Sequence, residues 1–237
     1  MLEKLLFLLV AFITNTIQFI SGWGGTIMAM PFSIRLVGMD FAKPILNMLA
    51  LIVSLMIVIK HFKEIQWKVV LFIGIFMLIG FGLGYLLDYL IVHDQLVYKI
   101  YGGIVILIAI VMLFVNESWN LPNWLLALLL ILSGIFQNLY LSGGPFLVIF
   151  AHTKLKEPGK FRASLSFCWV ILNGIFGVEH IVEGRWTLEM LYVLLIAAVT
   201  LILSYVFARH LIENENKKLF HIVTCVLLVI AGTSCLF

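Results

Sequence analysis

The chain has 237 residues, of which 63% are apolar and 11% are charged. Soluble domains carry charge on about 25% of their residues, so this composition excludes a water-soluble globule and predicts a protein embedded in a lipid bilayer. The formal net charge of +3 comes from 15 basic and 12 acidic residues scattered between the apolar runs. Nucleic-acid binding needs a clustered basic surface, and the sequence has none.

The N-terminal run resembles a signal peptide, but no small-x-small cleavage pattern follows it. We therefore expect it to remain as the first membrane helix. The three cysteines lie inside apolar runs, without a CxxC pair or a histidine at metal-ligand spacing. A free cysteine in such a run behaves as a small apolar side chain, so we expect no metal site.

Polar residues divide the chain into ten apolar runs. Most are long enough to cross a bilayer, which takes about 20 residues of helix. The run after Gly25 reaches Arg35 within ten residues, and the run after Gly144 reaches His152 within eight. These two are predicted to be half-helices, each forming a re-entrant hairpin with the run before it. In chain order the runs span 5–20, 26–34, 44–59, 69–87, 96–115, 124–141, 146–151, 161–178, 188–207 and 219–237.

An internal repeat appears when the sequence is compared with itself at an offset of 119 residues. The offset superimposes Gln18 on Gln137, Gly24 and Gly25 on Gly143 and Gly144, Lys43 on Arg162, Asn47 on Ser166, Ser54 on Asn173, His61 on His180, Glu64 on Glu183 and Trp67 on Trp186. Residues 1–117 and 118–237 are therefore predicted to be two copies of one transmembrane repeat, together making one membrane-embedded unit.

Each repeat contains one hairpin and three crossings, so the second repeat enters the bilayer from the opposite side. This predicts an all-α polytopic membrane protein built from two inverted-topology repeats, an architecture found in many secondary transporters. Five Lys and Arg residues fall on one membrane face and ten on the other. By the positive-inside tendency the second face is cytoplasmic and both termini are extracytoplasmic.

Polar residues of the membrane interior concentrate at the two hairpins and in the helix after each. Glycines permit unusual dihedrals at a helix break, and Pro145 suits the first turn of a returning helix. The N-terminus of such a helix offers unpaired N–H donors and the positive end of a dipole, which favour an anion. The two N-termini are expected to meet near the midplane. The candidate substrate-binding residues are Gln18, Trp23, Gly24, Gly25, Thr26, Asn47, Gln137, Asn138, Ser142, Gly143, Gly144, Pro145, Arg162, Ser166 and Asn173.

No Asp, Glu, Lys or Arg lies near the middle of any run. A carrier of cations usually has an intramembrane carboxylate, so a neutral, donor-rich centre fits an anion better. Lys43 and Arg162 begin the helices after the hairpins, either as snorkelling anchors or as charges that attract anions. His61 and His180 stand near tryptophans, which indicates the membrane interface; a proton-linked role is the alternative.

Two stretches resemble the sulfite exporter TauE/SafE family, also called the TSUP permeases. The first is Ser21-Gly-Trp-Gly-Gly-Thr-Ile-Met-Ala-Met-Pro31; the second is Ser142-Gly-Gly-Pro-Phe-Leu-Val148 followed by Phe161-Arg-Ala-Ser-Leu-Ser-Phe167. The resemblance covers essentially the whole chain. It implies transport of sulfur-containing anions such as sulfite, sulfoacetate or other organosulfonates across a cytoplasmic membrane, with no organic cofactor. Thr26 departs from the family, where a third glycine is common, and leaves the substrate open.

Three classes of function are weighed against each other. An enzyme is disfavoured because no run places a histidine deep enough to serve as the base for Ser142. An inert scaffold has no need of repeated polar residues in its interior. An anion channel stays open as an alternative, because selectivity filters also use re-entrant backbone, as does a carrier of a different small organic anion. A coupling proton or ion is also left open.

Overall fold

The computed structural model describes residues 2–90, 95–114, 121–141, 143–155 and 157–213, together with Val226, Val229, Gly232 and Thr233. Within these ranges the secondary structure is helical, without a strand. A short 3₁₀ turn, Phe62–Glu64, follows the third helix. The helices are α1 (Leu2–Ser21), α2 (Gly25–Val37), α3 (Met39–His61), α4 (Trp67–Leu90), α5 (Gln95–Phe114), α6 (Asn123–Tyr140), α7 (Gly144–Lys154), α8 (Pro158–Val182) and α9 (Leu188–Glu213).

Six of these helices, α1, α3, α4, α6, α8 and α9, are long and apolar enough to cross a membrane. The prediction of an all-α polytopic membrane protein is therefore confirmed. Helices α2 and α7 have 13 and 11 residues, about 20 and 17 Å at the α-helical rise, so neither crosses by itself. Helices α1 and α6 have crossing length, and the re-entrant geometry stays a prediction. The last predicted run, 219–237, lies almost wholly outside the described residues.

The helix boundaries follow the offset of 119 residues. Helix α1 ends at Ser21 and α6 at Tyr140, while α2 begins at Gly25 and α7 at Gly144. Helices α3 and α8 begin at Met39 and Pro158, which keep the same offset. The inversion of the two copies relative to the bilayer remains a prediction.

The chain forms two compact units that are not its two sequence halves. Unit 1 comprises residues 1–65 and 162–215, and unit 2 comprises residues 66–161 and 216–237. Unit 1 thus contains α1, α2, α3 and α9 with nearly all of α8, and unit 2 contains α4 to α7. Each unit draws helices from both predicted repeats, so the chain exchanges segments between its halves.

Unit 1 is held together by the packing of α1 against both α2 and α9. The Ser204 hydroxyl of α9 donates a hydrogen bond to the Phe12 carbonyl of α1 at 3.0 Å. Further along the same pair, the rings of Phe19 and Tyr205 meet edge to face at 5.4 Å. An ion pair between Lys4 and Glu189 joins the exposed ends. Contacts with α9 and with Glu189 therefore hold α1 at several points along its length, up to the break at its C-terminus.

Unit 2 is built on close contact between α4 and α6. A Cβ at Gly80 would overlap the Ile131 carbonyl, and a Cβ at Gly84 would lie 2.8 Å from the Asn138 Cβ. Gly134 of α6 meets the backbone of α4 in the same way. Small residues let the backbones of two membrane helices come into direct contact. Gly80 and Gly84 of α4 allow this contact with α6. Gly82, between them, has no described neighbour within 4 Å of a Cβ and faces away from α6.

Candidate functional site

The chain breaks in the same way after α1 and after α6. Gly22 follows α1 with a φ of +79°, and its N–H bonds to the Gln18 carbonyl at 2.7 Å. Leu141, at the equivalent position after α6, has a φ of +52°, and its N–H bonds to the Gln137 carbonyl at 2.9 Å. A residue in the left-handed region is a common way to end a helix. Glycine adopts it without strain, whereas the buried Leu141 is held there against its preference.

The turn between α1 and α2 leaves no room for a side chain at Gly25. A Cβ there would overlap Oε1 of Gln18 and would lie 3.0 Å from the Thr14 carbonyl. Gln18 therefore spans the break and packs its side-chain carbonyl against the first residue of α2. Ser21 braces the same turn: its hydroxyl donates to the Ile17 carbonyl at 2.8 Å and accepts from the Trp23 N–H at 3.2 Å.

Arg162 contacts this first turn, although it follows the second hairpin in the sequence. An added Cβ at Gly22 would lie 2.8 Å from Arg162 Cγ and 3.1 Å from its Cα. Both residues belong to unit 1, so Arg162, from the second half of the sequence, packs at the helix break of the first half. Position 22 therefore favours glycine for two reasons: its φ is positive, and Arg162 leaves no room for a side chain.

The N-terminus of α2 presents backbone donors beside this turn. The first helical hydrogen bond runs from the Met28 N–H to the Gly24 carbonyl at 3.1 Å, so the N–H groups of Gly25, Thr26 and Ile27 have no helical acceptor. Among the described residues no side chain caps this end. Gly24, at the cap position, has a φ of +85°, and Thr26 is half-buried.

The second turn is closed by side-chain hydrogen bonds of its own. The Ser133 hydroxyl donates to the Gly143 carbonyl at 2.7 Å, and the Gly143 N–H donates to Oε1 of Gln137 at 3.2 Å. Pro145 has no N–H to offer. Helix α7 therefore begins with fewer available donors than α2. The predicted site residue Ser142 lies outside the described residues.

Helices α3 and α8 meet through a buried polar contact within unit 1. Nδ2 of Asn47 donates to the Asn173 carbonyl at 3.0 Å, which leaves Oδ1 of Asn47 buried and without a hydrogen-bond partner in the described part of the chain. The hydroxyls of Ser54 and Ser166 are likewise buried and without a partner there. The atom of Asn47 that lacks a partner is thus an acceptor, whereas an anion requires donors.

The buried polar side chains of the described ranges are almost all neutral. They are hydroxyls and amides, joined by the single imidazole of His180, and none is Asp, Glu, Lys or Arg. Nor do the described residues bring three His, Cys, Asp or Glu side chains close enough to hold a metal ion. The neutral interior predicted from the sequence is therefore present in the described part.

The structure divides the predicted site residues between the two units. Unit 2 holds Gln137, Asn138, Gly143, Gly144 and Pro145; unit 1 holds Gln18, Trp23, Gly24, Gly25, Thr26, Asn47, Arg162, Ser166 and Asn173. Sequence reasoning did not assign two residues of unit 1 to the site. Gly22 is one, because neither its φ nor its contact with Arg162 is visible in a glycine-rich motif. Asn15 is the other: its Nδ2 is buried without a hydrogen-bond partner among the described residues.

Long apolar helices combined with short helices that begin at glycine turns are common in membrane transport proteins. Comparison with protein families agrees: residues 7–234 match the model of the family described as Sulfite exporter TauE/SafE. The chain belongs to this family, which confirms the resemblance seen in its glycine motifs. Membership indicates a membrane exporter or permease of sulfite or a related anion. Neither the curated proteins nor the solved structures gave a match.

Proposed function

We propose that the chain is a secondary transporter for small sulfur-containing anions, such as sulfite, sulfoacetate or other organosulfonates, and that it is not an enzyme. It works by alternating access around an anion site near the membrane midplane of the cytoplasmic membrane, with both termini outside the cytoplasm. The single observation that carries the proposal is the contact of Arg162 with Gly22 beside the uncapped start of α2.

The chemistry of this turn suits a sulfonate or sulfite group. A guanidinium is always charged and presents planar donors that match two oxygens of an oxyanion. The N–H groups of Gly25, Thr26 and Ile27 add donors at the positive end of the α2 dipole. Within α1, Nδ2 of Asn15 is a buried donor without a hydrogen-bond partner among the described residues, and such a group calls for a ligand or water.

The neutral interior supports an anion over a cation. A buried charge needs compensation from its surroundings, and the buried side chains of the described ranges provide no carboxylate to stabilise a cation. The unpaired Oδ1 of Asn47 is an acceptor and is less suited to hold the anion itself. We place the primary anion contacts at the turn between α1 and α2, in unit 1.

The two-copy organisation supports a carrier. Helix boundaries in the two predicted repeats keep the offset of 119 residues, and inverted repeats with discontinuous helices are the usual basis of alternating access. A carrier saturates with substrate, whereas a channel conducts without saturation at far higher rates. Saturation therefore separates this proposal from the alternative of an anion channel.

The decisive test is anion binding and flux with purified protein, first in detergent and then in liposomes. One hydrogen bond to a charged group contributes about 1.5–3 kcal/mol, and about 1.4 kcal/mol is tenfold in affinity, so Arg162→Gln is expected to weaken binding by about 10- to 100-fold. Arg162→Lys keeps the charge but loses the planar pair of donors. Its anion affinity should lie between those of Arg162→Gln and the unmodified chain.

The matched control is Arg209→Gln, which removes the same charge from an exposed position on α9. It should bind and transport like the unmodified chain. Equal affinity in the Arg162 and Arg209 variants would remove Arg162 from the site. Flux of every tested anion that does not saturate, or the absence of flux, would contradict the carrier proposal.

A further inference from the structure

The buried side-chain atoms that lack a hydrogen-bond partner are concentrated in one part of the protein. Among the described residues all of these atoms belong to unit 1 and none to unit 2. Native proteins leave few such atoms, and each one calls for a ligand or water. Three of them lie on three different helices: Oε1 of Gln18 on α1, and the hydroxyls of Ser54 on α3 and Ser166 on α8.

Helices α3 and α8 run antiparallel. The amide of Asn47 on α3 donates to the Asn173 carbonyl on α8 at 3.0 Å. Lys43, one turn before Asn47, has its Nζ 5.0 Å from the centroid of the Phe176 ring, which comes after Asn173. A step backward along α3 is therefore a step forward along α8, and the start of α3 lies beside the end of α8.

This register sets the hydroxyls of Ser54 and Ser166 level with each other. Ser54 follows Asn47 by seven residues, and Ser166 precedes Asn173 by seven, which is about two helical turns in each case. Both serines are fully buried. A hydroxyl offers one donor and two acceptor positions, so both can bond to a polar group that lies beside α3 and α8.

Helix α1 forms the third side of the same group of helices. Its first turns lie beside the start of α3, where the rings of Phe7 and Phe41 meet at 6.4 Å. Just beyond its end, Gly22 contacts Arg162 at the start of α8. Since the start of α3 lies beside the end of α8, α1 also runs antiparallel to α8. Gln18 is one turn back along α1 from this contact.

The unpaired atoms lie next to the proposed anion contacts. Ser166 follows Arg162 by four residues on the same face of α8, a rise of about 6 Å. Gln18 precedes Gly22 by the same number of residues, and its Oε1 packs against Gly25 at the start of α2. A short carbon chain attached to the sulfur of a bound sulfonate can span this distance.

We propose that Gln18, Ser54 and Ser166 bind the hydroxyl group of a short hydroxyalkyl sulfonate, whose sulfonate group lies at the turn between α1 and α2. This inference rests on the proposed function and narrows its substrate class. The two serine hydroxyls donate to the oxygen of the substrate's hydroxyl group, and Oε1 of Gln18 accepts its proton. The three protein atoms gain the partners that they lack in the described structure.

A second charged group on the substrate fits these atoms less well. An ammonium group needs a carboxylate beside it and a carboxylate needs a cation, since a buried charge without compensation is costly. The buried side chains of the described ranges include no Asp, Glu, Lys or Arg. A hydroxyl group both donates and accepts, so it satisfies donors and acceptors without adding charge.

The test compares two sulfonates of similar shape on the unmodified full chain in detergent. Isethionate carries a hydroxyl group where propanesulfonate has a methyl group, and calorimetry measures the affinity of each. A site that bonds a substrate hydroxyl rejects the analogue without it, because its buried polar groups stay unpaired. Isethionate should therefore bind about 10-fold more tightly. Equal affinities would overturn the proposal, as would tighter binding of taurine or sulfoacetate, which carry an ammonium group and a carboxylate in place of the hydroxyl group.

Variants then locate the contact. Ser166→Ala should lower the affinity for isethionate by about 3- to 10-fold and leave that for propanesulfonate unchanged. Ser204→Ala is the matched control, because Ser204 is a buried serine of unit 1 whose hydroxyl already bonds to the Phe12 carbonyl. It should keep the ratio of the two affinities. An unchanged ratio in Ser166→Ala would overturn the placement of the hydroxyl group beside Ser166.

Sulfite distinguishes failure of this inference from failure of the proposed function. Sulfite has no carbon chain, so its binding depends on the anion contacts alone. If sulfite binds and isethionate does not, the proposed function stands and the hydroxyl site is overturned. If neither anion binds, the proposed function fails and the hydroxyl site fails with it.

Discussion

Replacement of Gly22 by alanine tests the contact on which the proposed site depends. Alanine at a φ of +79° costs roughly 1–2 kcal/mol because its Cβ crowds the following carbonyl. The same Cβ would lie 2.8 Å from Arg162 Cγ, and overpacking of this kind typically adds about 1–3 kcal/mol. The expected loss in the free energy of unfolding is therefore about 2–5 kcal/mol, together with weaker anion binding as Arg162 moves.

Gly184 separates the two contributions. It has a φ of +65°, and an added Cβ there meets no described atom within 4 Å. Gly184→Ala should therefore show the dihedral cost alone, about 1–2 kcal/mol, with unchanged anion affinity. The assay is chemical unfolding in detergent, followed by binding of isethionate to the folded protein.

A double-mutant cycle completes the test. In an Arg162→Ala background the overlap at Cγ is gone, although the 3.1 Å approach to the Cα remains, so Gly22→Ala should cost less than it does in the unmodified chain. The reasoning is refuted if Gly22→Ala and Gly184→Ala cost the same. It is equally refuted if the cost at Gly22 does not change when Arg162 is shortened.

Three further predictions concern stability. Gly80→Ala should destabilise the chain by about 1–3 kcal/mol through overpacking against α6. Gly82→Ala should be neutral or stabilising by up to about 1 kcal/mol, because an added Cβ there meets open space on the same helix. Equal effects of the two substitutions in a thermal melt would exclude glycine-mediated contact between α4 and α6. Ser133→Ala should cost about 1 kcal/mol through loss of the hydrogen bond to Gly143, as seen by chemical unfolding. Asn47→Asp should cost about 1–3 kcal/mol, because a carboxylate cannot donate to the carbonyl that the amide now bonds; unchanged stability would exclude this contact.

Much of the fold follows from the sequence, because each membrane segment must form the hydrogen bonds of its own backbone N–H and C=O groups. The long apolar runs became helices for that reason, and the glycines at 22 and 24 stopped one of them. The neutrality of the buried polar set also followed, since charge is costly in hydrocarbon. These features depend on the local sequence and on the lipid surroundings, and both can be inferred from the amino-acid sequence.

The partner of Arg162 did not follow from the sequence. An offset of 119 residues indicates that Lys43 and Arg162 are equivalent in the sequence, but it does not show that Arg162 packs on Gly22. The hydrogen bond of the Asn47 amide could not be predicted either, because its acceptor is a carbonyl 126 residues away in the sequence. Contacts of this kind are decided by tertiary packing.

The inequality of the two histidines is a third such case. His61 and His180 are equivalent in the sequence, yet one bonds to Glu64 and the other is buried against Phe176. The difference arises from the helices that surround each ring, and no short motif records it. Repeated sequence therefore predicted equivalent positions but not equivalent environments.

The exchange of segments between the two units also orders events during synthesis. Helices α4 to α7 are consecutive, so nearly all the described residues of unit 2 emerge together and α6 can dock on α4 at once. Helix α1 must wait for α9, the last of the described helices, before Phe12 receives its hydrogen bond from Ser204. Until then the face of α1 that holds Phe12 and Phe19 lacks the contacts that Ser204 and Tyr205 provide. Release of the nascent chain before α9 would therefore leave unit 1 without the helix that packs along α1.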